Sequence, residues 1–594
     1  ALQEITILDP TCGSGAFLFA AMNILEPLYE VCIDRMQEFN EQNPLLFKDE
    51  LEEIKNKYRS NIQYFIYKSI ILRNLYGVDI MTEATEIAKL RLFLKMVAVV
   101  EANRRLPNLG LDPLPDIDFN IRCGNTLVGY ASEEEVMNGA TFTDMFTAQE
   151  FRDKVELELE KVSMAYNHFR TQQLADAEDR ATFKAAKKEL SAKLTSLTDM
   201  LDHQLFSASG NTDFDKWKAS HQPFHWIAEY YQIIHGNGGF DVIIGNPPYV
   251  EYSKIRNCYQ INNYQTLDSG NLYSFVIERS IRLLDDNKYI GMIIPISAFC
   301  TNRMESLMNL FRNFTSITYV SNYAERPGKL FKCAERNLSI VLSQKDSTQN
   351  NHIYTSLYYK WKAENRNLLF SNIVYFFSSE ILLKANFPKI GNKTELSILK
   401  KMRLIKNNLG MYTTYQNKNI FFYKNSGGRY WKFMANFKPI FYLNGQIGTS
   451  SRETHLYFND TSQLRIATSL LNSSLYYWYY VMHSDARTNN PSDLKDFPID
   501  LFGVSPGLSK KLIFLCNILM DELQKNAVMV DAVYRTGQVQ FAQYLPALSK
   551  PIIDEIDKVL AKHYDFTEEE LDFIINYDIK YRMDEELNNE EEEK

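Results

Sequence analysis

The stretch Phe240-Asp-Val-Ile-Ile-Gly-Asn-Pro-Pro-Tyr249 joins a short apolar run to a stiff polar loop. A run of this kind, ended by turn residues, is typical of a buried strand. The two prolines fix φ in the loop, so Asn246 and the Pro247 carbonyl are held in place before any ligand arrives. We interpret 240–245 as a strand and 246–249 as a loop at its carboxyl end. A plain proline turn is the structural alternative.

The loop suits chemistry on the exocyclic amine of an aromatic base. The lone pair of such a nitrogen is delocalised into the ring, which makes it a poor nucleophile. Two acceptors aimed at its hydrogens, the Asn246 side-chain oxygen and the Pro247 carbonyl, would pull the nitrogen toward sp³ geometry. Pro248 completes the stiff loop, and Tyr249 offers a ring on which a base could stack.

A second strand and loop open the chain. Glu4-Ile-Thr-Ile-Leu8 is followed by Asp9-Pro-Thr-Cys-Gly-Ser-Gly15 and then by an apolar helix start. Gly13 and Gly15 allow positive φ and a close approach of the backbone to a ligand. A phosphate loop is the alternative, but no Lys-Ser/Thr pair follows Gly15, which argues against an NTPase.

The two motifs together resemble amino-methyltransferases that use S-adenosylmethionine. More closely, the chain is similar to the TaqI-type and type IIG N6-adenine DNA methyltransferases of restriction–modification and phage-defence systems. The resemblance covers most of the chain and has the family's order of motifs. It rests on Leu8-Asp-Pro-Thr-Cys-Gly-Ser-Gly15, Tyr76-Gly-Val-Asp-Ile80, Cys123-Gly-Asn-Thr-Leu127, Phe240 to Tyr249 and Phe573-Ile-Ile-Asn-Tyr-Asp-Ile-Lys-Tyr581.

The resemblance implies two sets of site residues. The cofactor S-adenosyl-L-methionine would contact Asp9, Thr11, Gly13, Gly15, Asp79, Ile80 and Asn125. The catalytic set would be Asn246, Pro247, Pro248, Tyr249 and Phe331, with Phe331 stacking on the far face of the target base. No metal is expected in this reaction.

Three of these assignments have structural alternatives. Asp79 ends a predicted strand and could accept both ribose hydroxyls, but it could also serve as a carboxylate near a helix start at Thr82. Asn125 follows a glycine, and a turn Asn is common without a ligand. Phe331 precedes a strand at 338–342, where a core Phe is the commoner case.

Helical insertions interrupt the predicted fold. Gly15 and Asp79 are 64 residues apart, whereas a simple dinucleotide fold places its acid about 20 residues on. The helix predicted for 82–100 carries an apolar stripe of Ile87, Leu90, Leu94 and Val97. Residues 147–205 contain neither Gly nor Pro and show heptad-like spacing, which predicts a helical hairpin that either clamps DNA or braces the fold.

The fold class we predict is α/β: a Rossmann-like class I methyltransferase with helical insertions, plus a mixed α+β target-recognition domain. We divide the methyltransferase domain into a cofactor half at 1–130, a helical insertion at 131–238 and a catalytic half at 239–345. The recognition domain follows at 346–545. Helices and an acidic tail complete the chain at 546–594.

Charge distribution supports a nucleic-acid partner better than total charge does. The chain has a net charge of −9, but 384–438 contain twelve Lys or Arg and one acid, Glu395. A basic segment in an acidic protein predicts DNA contact, and a solvated basic surface is the alternative. Aromatics interleave with these bases at 419–433, where we expect base edges and phosphates to bind. We predict one buried helix over 464–480 and helices from 508 onward.

The cysteine pattern and the lengths of the apolar runs bear on where the protein is located. The seven Cys form no Cys-x-x-Cys pair, and no uninterrupted apolar run approaches 18 residues. We therefore expect a cytoplasmic protein without a membrane segment.

The cofactor strand lies almost at residue 1, whereas related enzymes carry more upstream, so we expect a C-terminal fragment of a longer protein. A nuclease region upstream or a separate restriction subunit would be its partner.

The sequence therefore predicts methylation of adenine N6 in a specific sequence of double-stranded DNA, by base flipping. One alternative keeps the chemistry but changes the substrate to a protein glutamine or an RNA guanine. Another is a DNA-binding specificity subunit that lacks full activity without its N-terminal part. The target sequence and the oligomeric state are not encoded in any motif.

Overall fold

The structure is a computed structural model. It describes residues 1–57, 61–101, 114–138, 145–174, 180–331, 335–346, 351–383, 386–428, 430–534 and 537–584. The chain divides into two compact units. The first comprises 1–294, 306–319 and 340–352, and the second comprises 295–305, 320–339 and 353–594. Each unit is described by itself below.

The first unit is built on a mostly parallel sheet with helices around it. Its strands are β1 (Ile7–Asp9), β2 (Leu75–Asp79), β3 (Ile121–Cys123), β4 (Phe240–Gly245), β5 (Leu284–Pro295), and parts of β6 (Thr315–Tyr323) and β7 (Leu338–Lys345). Its helices are α1 (Ala16–Gln42), α2 (Lys48–Lys57), α3 (Ile62–Arg73), α4 (Thr82–Val97), α5 (Glu133–Asn138), α6 (Met145–Leu174), α7 (Arg180–Ser209), α8 (Phe214–His221), α9 (Trp226–Glu229), α10 (Leu272–Leu283) and α11 (Glu305–Phe314).

Strand order places a switch point in the middle of this sheet. The order begins β3-β2-β1-β4-β5 and continues through β7 to β6. Strand β1 pairs in parallel with β2 on one side and with β4 on the other. The chain runs outward in opposite directions from β1 and β4, and ligands of doubly wound sheets bind at such a point, beyond the carboxyl ends of the strands. The predicted α/β fold is seen in this unit.

Helix α1 belongs to the core beneath the sheet. Leu18, Met22 and Leu25 are buried there with the β1 residue Ile7. The helix contains an 18-residue window of mean hydropathy 1.5, long and apolar enough to cross a membrane. Length and composition are weak evidence for a membrane span, and the buried stripe is what a core helix shows.

The apolar stripe predicted on α4 faces outward. Ile87, Leu90 and Leu94 are between 49% and 59% exposed, while Ala88 and Leu92 on the other face are buried. Helical spacing was correct, but the face that packs is the one with Thr85, Ala88, Leu92 and Met96. The helix also ends at Val97 and not at 100.

The predicted helical hairpin is present as α6 and α7. Its buried stripe contains Val155, Leu159, Val162 and Phe169 on one helix and Leu190, Leu194, Leu197 and Leu201 on the other. Phe119, just before β3, packs in the same cluster. The insertion is thus anchored beside β3 of this sheet and is not a free arm.

The second unit combines two small antiparallel sheets with a helical core. Its strands are β8 (His352–Tyr359), β9 (Tyr375–Phe377), β10 (Thr413–Thr414), β11 (Asn419–Lys424), β12 (Met434–Ala435), β13 (Phe441–Leu443), β14 (Gln446–Ile447), β15 (Glu453–Phe458), β16 (Val528–Tyr534) and β17 (Gly537–Gln543). The two small sheets contain β10 to β17, while β8 and β9 pair antiparallel with each other and are not part of them. Its helices are α12 (Lys393–Met402), α13 (Thr461–Leu471), α14 (Ser474–His483), α15 (Pro491–Lys495), α16 (Pro506–Lys525), α17 (Lys550–His563), α18 (Glu568–Ile575) and α19 (Ile579–Arg582).

Two predictions for this unit were wrong. The single helix expected over 464–480 is split into α13 and α14, because Ser473 caps a new helix by accepting the Tyr476 amide. The region after 508 is not all helical. An antiparallel hairpin of β16 and β17 interrupts it, and five of the seven β16 side chains are exposed.

Candidate active site

The two loops singled out in the sequence leave neighbouring strand ends. Ile7 pairs with Val242 and Leu8 with Ile243, so the loops after β1 and β4 begin side by side. They approach so closely that a Cβ on Gly245 would lie 2.9 Å from the Asp9 carboxylate. A side chain at 245 would therefore displace the Asp9 carboxylate, a role for Gly245 that sequence reasoning did not assign.

The glycine loop is tied to the end of β2. Asp79 accepts the Gly13 amide at 2.9 Å and the Met81 amide at 2.9 Å. Gly13 has φ of +50°, and the space where a Cβ would lie is open. Gly15 has φ of +74° and packs against Ala88, where a Cβ would meet the helix at 2.9 Å. One glycine thus leaves room for a ligand and the other allows close helix packing.

Asp9 is a carboxylate buried at the bottom of the site. It is 1% exposed and accepts the Thr11 amide at 3.1 Å. Burial raises its pKa to about 7, the Thr11 amide opposes this shift, and the nearby Asp79 carboxylate adds to it. The site thus contains two acidic side chains, Asp9 and Asp79, and the pKa of Asp9 is strongly raised. Such a site favours a cationic ligand.

Two buried polar atoms in the site lack partners in the part of the chain that the structure describes. They are the Asn125 side-chain nitrogen and the Thr11 hydroxyl. The Asn125 oxygen accepts the Leu127 amide at 3.1 Å, which fixes the turn. Burial raises the pKa of Tyr259, and the nearby Asn125 side chain opposes this rise. The contact between the two side chains is not a full hydrogen bond. Buried groups of this kind need an external partner such as a ligand.

The loop after β4 presents Asn246 to solvent. Asn246 is exposed, Pro247 is buried and Pro248 is exposed. The Tyr249 hydroxyl can donate to the Asn246 side-chain oxygen at 2.5 Å or to the Ile293 carbonyl at 2.9 Å. One hydroxyl hydrogen cannot serve both acceptors, so the hydroxyl can leave Asn246 and keep a hydrogen bond.

Tyr273 is a further aromatic near the catalytic loop. It lies on α10, is 2% exposed, and meets the Tyr249 ring edge-on with centroids 6.3 Å apart. Sequence reasoning assigned Tyr273 no role in the site, and its position shortly after the loop was the available signal. Tyr273 holds the Tyr249 ring from one side.

Most sequence-predicted site residues are thus at one edge of the first unit. Ile80 is 36% exposed beside Asp79 at the end of β2. Phe331 belongs to the second unit, and its place beside a target base stays a prediction.

The basic segment 384–438 is less exposed than its composition indicated. Lys389 is 3% exposed and donates to the Ser484 carbonyl at 2.7 Å. Lys401 pairs with Glu570 at 2.7 Å. Lys384 and Arg429 lie outside the described residues. Cations of the segment that remain exposed are Lys393, Lys400, Lys406, Lys418 and Lys438.

The interleaved aromatics of 419–433 do not form the predicted surface. Phe421, Tyr423, Tyr430 and Phe433 are at most 7% exposed. Trp431 stacks under the Arg582 guanidinium, whose carbon lies 3.9 Å from the ring centroid. Phe421, Tyr423 and Phe433 belong to the core of the second unit, and the alternation along β11 reflects strand packing.

Comparisons with known proteins agree with the motifs. Residues 73–329 match the family model of the Eco57I restriction-modification methylase, and residues 1–143 match that of the MmeI DNA-methyltransferase domain. A protein of Methanocaldococcus jannaschii, described as a type II restriction enzyme and methyltransferase, is 27% identical over 428 residues. That alignment covers 65% of this chain and 33% of the relative, so the chain spans about a third of its length.

Two solved structures that this chain resembles are also restriction–modification enzymes. The type IIL enzyme MmeI in complex with DNA aligns with 100% of this chain and 74% of its own, at 10% identity and a TM-score of 0.42. The type ISP enzyme LlaBIII bound to DNA aligns with 99% of this chain and 44% of its own, at 12% identity and a TM-score of 0.37.

The family matches cover the first part of the chain. Residues 1–329 are similar to the methyltransferase regions of restriction–modification enzymes. More particularly, they are similar to the methylases of Eco57I and MmeI, and the resemblance to type IIG enzymes is confirmed.

Proposed function

We propose that the protein transfers a methyl group from S-adenosylmethionine to adenine N6 in a specific sequence of double-stranded DNA. The observation that carries this proposal is the meeting of the Asp9 and Asn246 loops at the ends of paired strands β1 and β4. A methyl donor and an acceptor amine bound there would be adjacent.

The cofactor site has charge and shape that fit S-adenosylmethionine. Asp9 would pair with its ammonium or sulfonium cation, and Asp79 would accept its ribose hydroxyls with the lone pairs that its two backbone partners leave free. Asn125 would donate its partnerless amide to the adenine ring. When bound, the cofactor supplies an electrophilic methyl on sulfur.

The Asn246 loop would activate the acceptor. An adenine amine flipped out of the helix would donate its hydrogens to the Asn246 oxygen and the Pro247 carbonyl. The Tyr249 hydroxyl would then turn to the Ile293 carbonyl, which lies 2.9 Å away. With its hydroxyl anchored there and its ring held by Tyr273, Tyr249 would stack on the base.

The same proposal gives roles to the rest of the chain. Segments 1–130 and 239–345 form the methyltransferase, with 131–238 as its helical insertion. Segment 346–545 would recognise the target sequence, with 546–594 closing the chain. Phe331 would cover the second face of the flipped base, and an upstream nuclease region or separate restriction subunit would cleave unmethylated DNA.

The test measures transfer of a labelled methyl group to mixed duplex DNA, followed by sequencing of the modified sites. Asn246→Ala is the decisive variant. Asn237→Ala is its control, because Asn237 is an exposed amide just before the start of the same strand, at the end away from Asn246. N6-methyladenine formed by the native chain and by the control, but not by Asn246→Ala, supports the proposal.

Two results would redirect it. Label in RNA or in a glutamine-bearing peptide, with none in duplex DNA, would favour the same chemistry on another substrate. A folded chain that binds duplex DNA but transfers no methyl group to any acceptor would favour a specificity subunit.

A further inference from the structure

The turn that follows β3 belongs to the cofactor edge of the first unit. Residues 124–130 form this turn, called the Asn125 turn below. Its first backbone amide donates to the Asp79 carbonyl at 2.9 Å, and its Thr126 hydroxyl donates to the Pro10 carbonyl. The turn is thus tied to the end of β2 and to the glycine loop. It also holds the buried Asn125 side-chain nitrogen, which has no partner in the part of the chain that the structure describes.

A short linker of the helical insertion lies along this turn. Residues 222–225 form the linker, which joins α8 to α9. The Asn125 backbone amide donates to the Gln222 carbonyl at 2.8 Å. The turn and the linker are closely packed, because a Cβ on Gly129 would overlap the Phe224 carbonyl oxygen. The position of the turn therefore depends on the position of the linker.

His225 ends the linker and joins the turn to helix α7. Its Nδ1 atom accepts the Tyr130 backbone amide at 3.3 Å. A backbone amide can only donate, so Nδ1 carries no hydrogen and the ring hydrogen is on Nε2. The Nε2 atom then donates to the Asp202 carboxylate of α7 at 3.0 Å. The imidazole also stacks on the Tyr130 ring, with centroids 5.2 Å apart.

Asp202 is the buried acid at the other end of this link. It is 2% exposed, and His225 is fully buried. Lys218 of α8 pairs with Asp202 at 2.8 Å and with Asp199 at 2.6 Å. Burial raises the pKa of Asp202, but its contacts with His225 and Lys218 outweigh burial and hold this pKa below the ordinary value. Asp202 is therefore an ionised acceptor that keeps His225 in one tautomer and one orientation.

The link adds direction to contacts that are otherwise apolar. Helices α6 and α7 already share an apolar core with Ile227 and Ala228 of α9. Apolar contacts resist separation but allow small rotations, whereas a hydrogen bond fixes an angle as well as a distance. A buried charge pair contributes little net stability on average. The Asp202–His225 pair therefore matters more for orientation than for stability.

We propose that Asp202 and His225 are positioning residues for the cofactor. They hold the Asn125 turn so that the Asn125 side-chain amide faces the adenine ring of S-adenosylmethionine. The helical insertion thereby supports cofactor binding from behind the turn. This inference rests on the proposed function, because it takes S-adenosylmethionine as the ligand of the turn.

The test compares three variants of α7 in the full chain. Asp202→Ala removes the acceptor of His225, whereas Asp202→Asn keeps an oxygen in the same place. Asp199→Ala is the matched control, because Asp199 lies three residues earlier on α7 and shares Lys218, while the His225 ring bonds to Asp202.

Cofactor affinity is the main quantity measured. Calorimetry with S-adenosylhomocysteine, the product form of the cofactor, should show binding about tenfold weaker in Asp202→Ala. Asp202→Asn and Asp199→Ala should stay within about threefold of the native affinity. In methyl transfer, Asp202→Ala should raise the KM for the cofactor by about the same factor and leave kcat at saturating cofactor within about twofold.

Hydrogen exchange reports on the turn without any ligand. Amides of 125–130 should exchange faster in Asp202→Ala than in the native chain or in Asp199→Ala, while β1 and β4 keep their protection. His225→Asn is a second variant in case Asp202→Ala does not fold. Its side-chain oxygen can still accept the Tyr130 amide, but the shorter side chain gives up the bond to Asp202, so it should also weaken cofactor binding.

Several results would overturn the proposal. Native cofactor affinity in both Asp202→Ala and His225→Asn would do so, as would an equal loss of affinity in Asp199→Ala. A fall in kcat with an unchanged KM would place the effect in the transfer step and not at the turn. Weaker DNA binding with native cofactor affinity would assign the insertion to DNA instead.

Failure of the proposed function has a different signature. A native chain that binds no S-adenosylhomocysteine would contradict the cofactor assignment itself. Hydrogen exchange would then still decide whether Asp202 and His225 hold the Asn125 turn, because that measurement uses no cofactor.

Discussion

Two regions were predicted to act on DNA. One is the edge of the first unit with the Asp9 and Asn246 loops, called the catalytic edge below, and the other is the basic segment of the second unit. Their side chains are placed differently in the structure. At the catalytic edge, residues far apart in sequence meet: a Cβ on Gly245 would lie 2.9 Å from Asp9. In the basic segment 384–438, Lys389 and Lys401 point into the fold, where they bind Ser484 and Glu570.

The difference lies in what each pattern constrains. A proline pair after a buried strand fixes backbone direction, and strand pairing then fixes its neighbour. A count of charges fixes no direction, because a lysine can reach the surface, an ion pair or a backbone carbonyl with similar ease. Four experiments can break or sharpen this comparison.

The largest effect is expected at Asn246. Asn246→Ala removes the acceptor aimed at the amine and should lower the methyl-transfer rate by at least about 100-fold, as loss of one oriented polar group does in other active sites. Cofactor binding, measured by calorimetry, should change little because Asn246 is not among the residues proposed to hold the cofactor. Transfer by Asn246→Ala within threefold or so of the native rate would break the assignment of this edge.

Tyr249 should separate stacking from hydrogen bonding. Tyr249→Ala removes the ring and should weaken productive binding of duplex DNA, since base stacking contributes roughly 1–3 kcal/mol. Tyr249→Phe keeps the ring but loses the hydrogen bond to Ile293. It should therefore weaken productive DNA binding several-fold less than Tyr249→Ala does. Single-turnover rates measured on both variants check this order. Equal rates for Ala and Phe would show that the base does not lie on this ring.

Asp9 predicts a pH dependence of cofactor affinity. Its pKa in the folded chain is about 7, above the ordinary value of 3.8, so ionised Asp9 costs the free protein stability as pH rises from about 4 to 7. A cationic cofactor favours the ionised form, so affinity should rise by roughly tenfold between about pH 6 and pH 8. Calorimetry across that range, with Asp9→Asn as the flat control, measures it. A flat native profile would mean that Asp9 does not face the cation.

The sequence predicts local features of this structure better than it predicts packing. Strand β4 and its loop were predictable because apolar runs and prolines act locally. The packed face of α4 was not, because Ile87 and Leu90 define a stripe without saying what covers it. The break at Ser473 carried a helix-cap signal that the surrounding apolar run concealed.

The cofactor edge shows the same limit on a finer scale. Asp79 was predicted as a site residue from its place at a strand end, whereas the close approach of Gly245 to Asp9 depends on how β1 and β4 pair. Tyr273 depends on the path of α10 back to the Tyr249 ring. Both need the tertiary fold, which no local pattern contains.

The smallest effects should divide the basic segment itself. Lys389→Ala leaves the Ser484 carbonyl without its donor and should lower the free energy of unfolding by about 1–3 kcal/mol. It should not change the DNA affinity of the folded chain. Lys418 is exposed, and Lys418→Ala should leave stability unchanged but reduce by about 1 the slope of log affinity against log salt concentration. Denaturant unfolding and salt-dependent DNA binding distinguish the two. If Lys389→Ala lowered the salt slope while Lys418→Ala did not, the buried lysine would be a DNA contact after all, and the contrast between the two regions would fail.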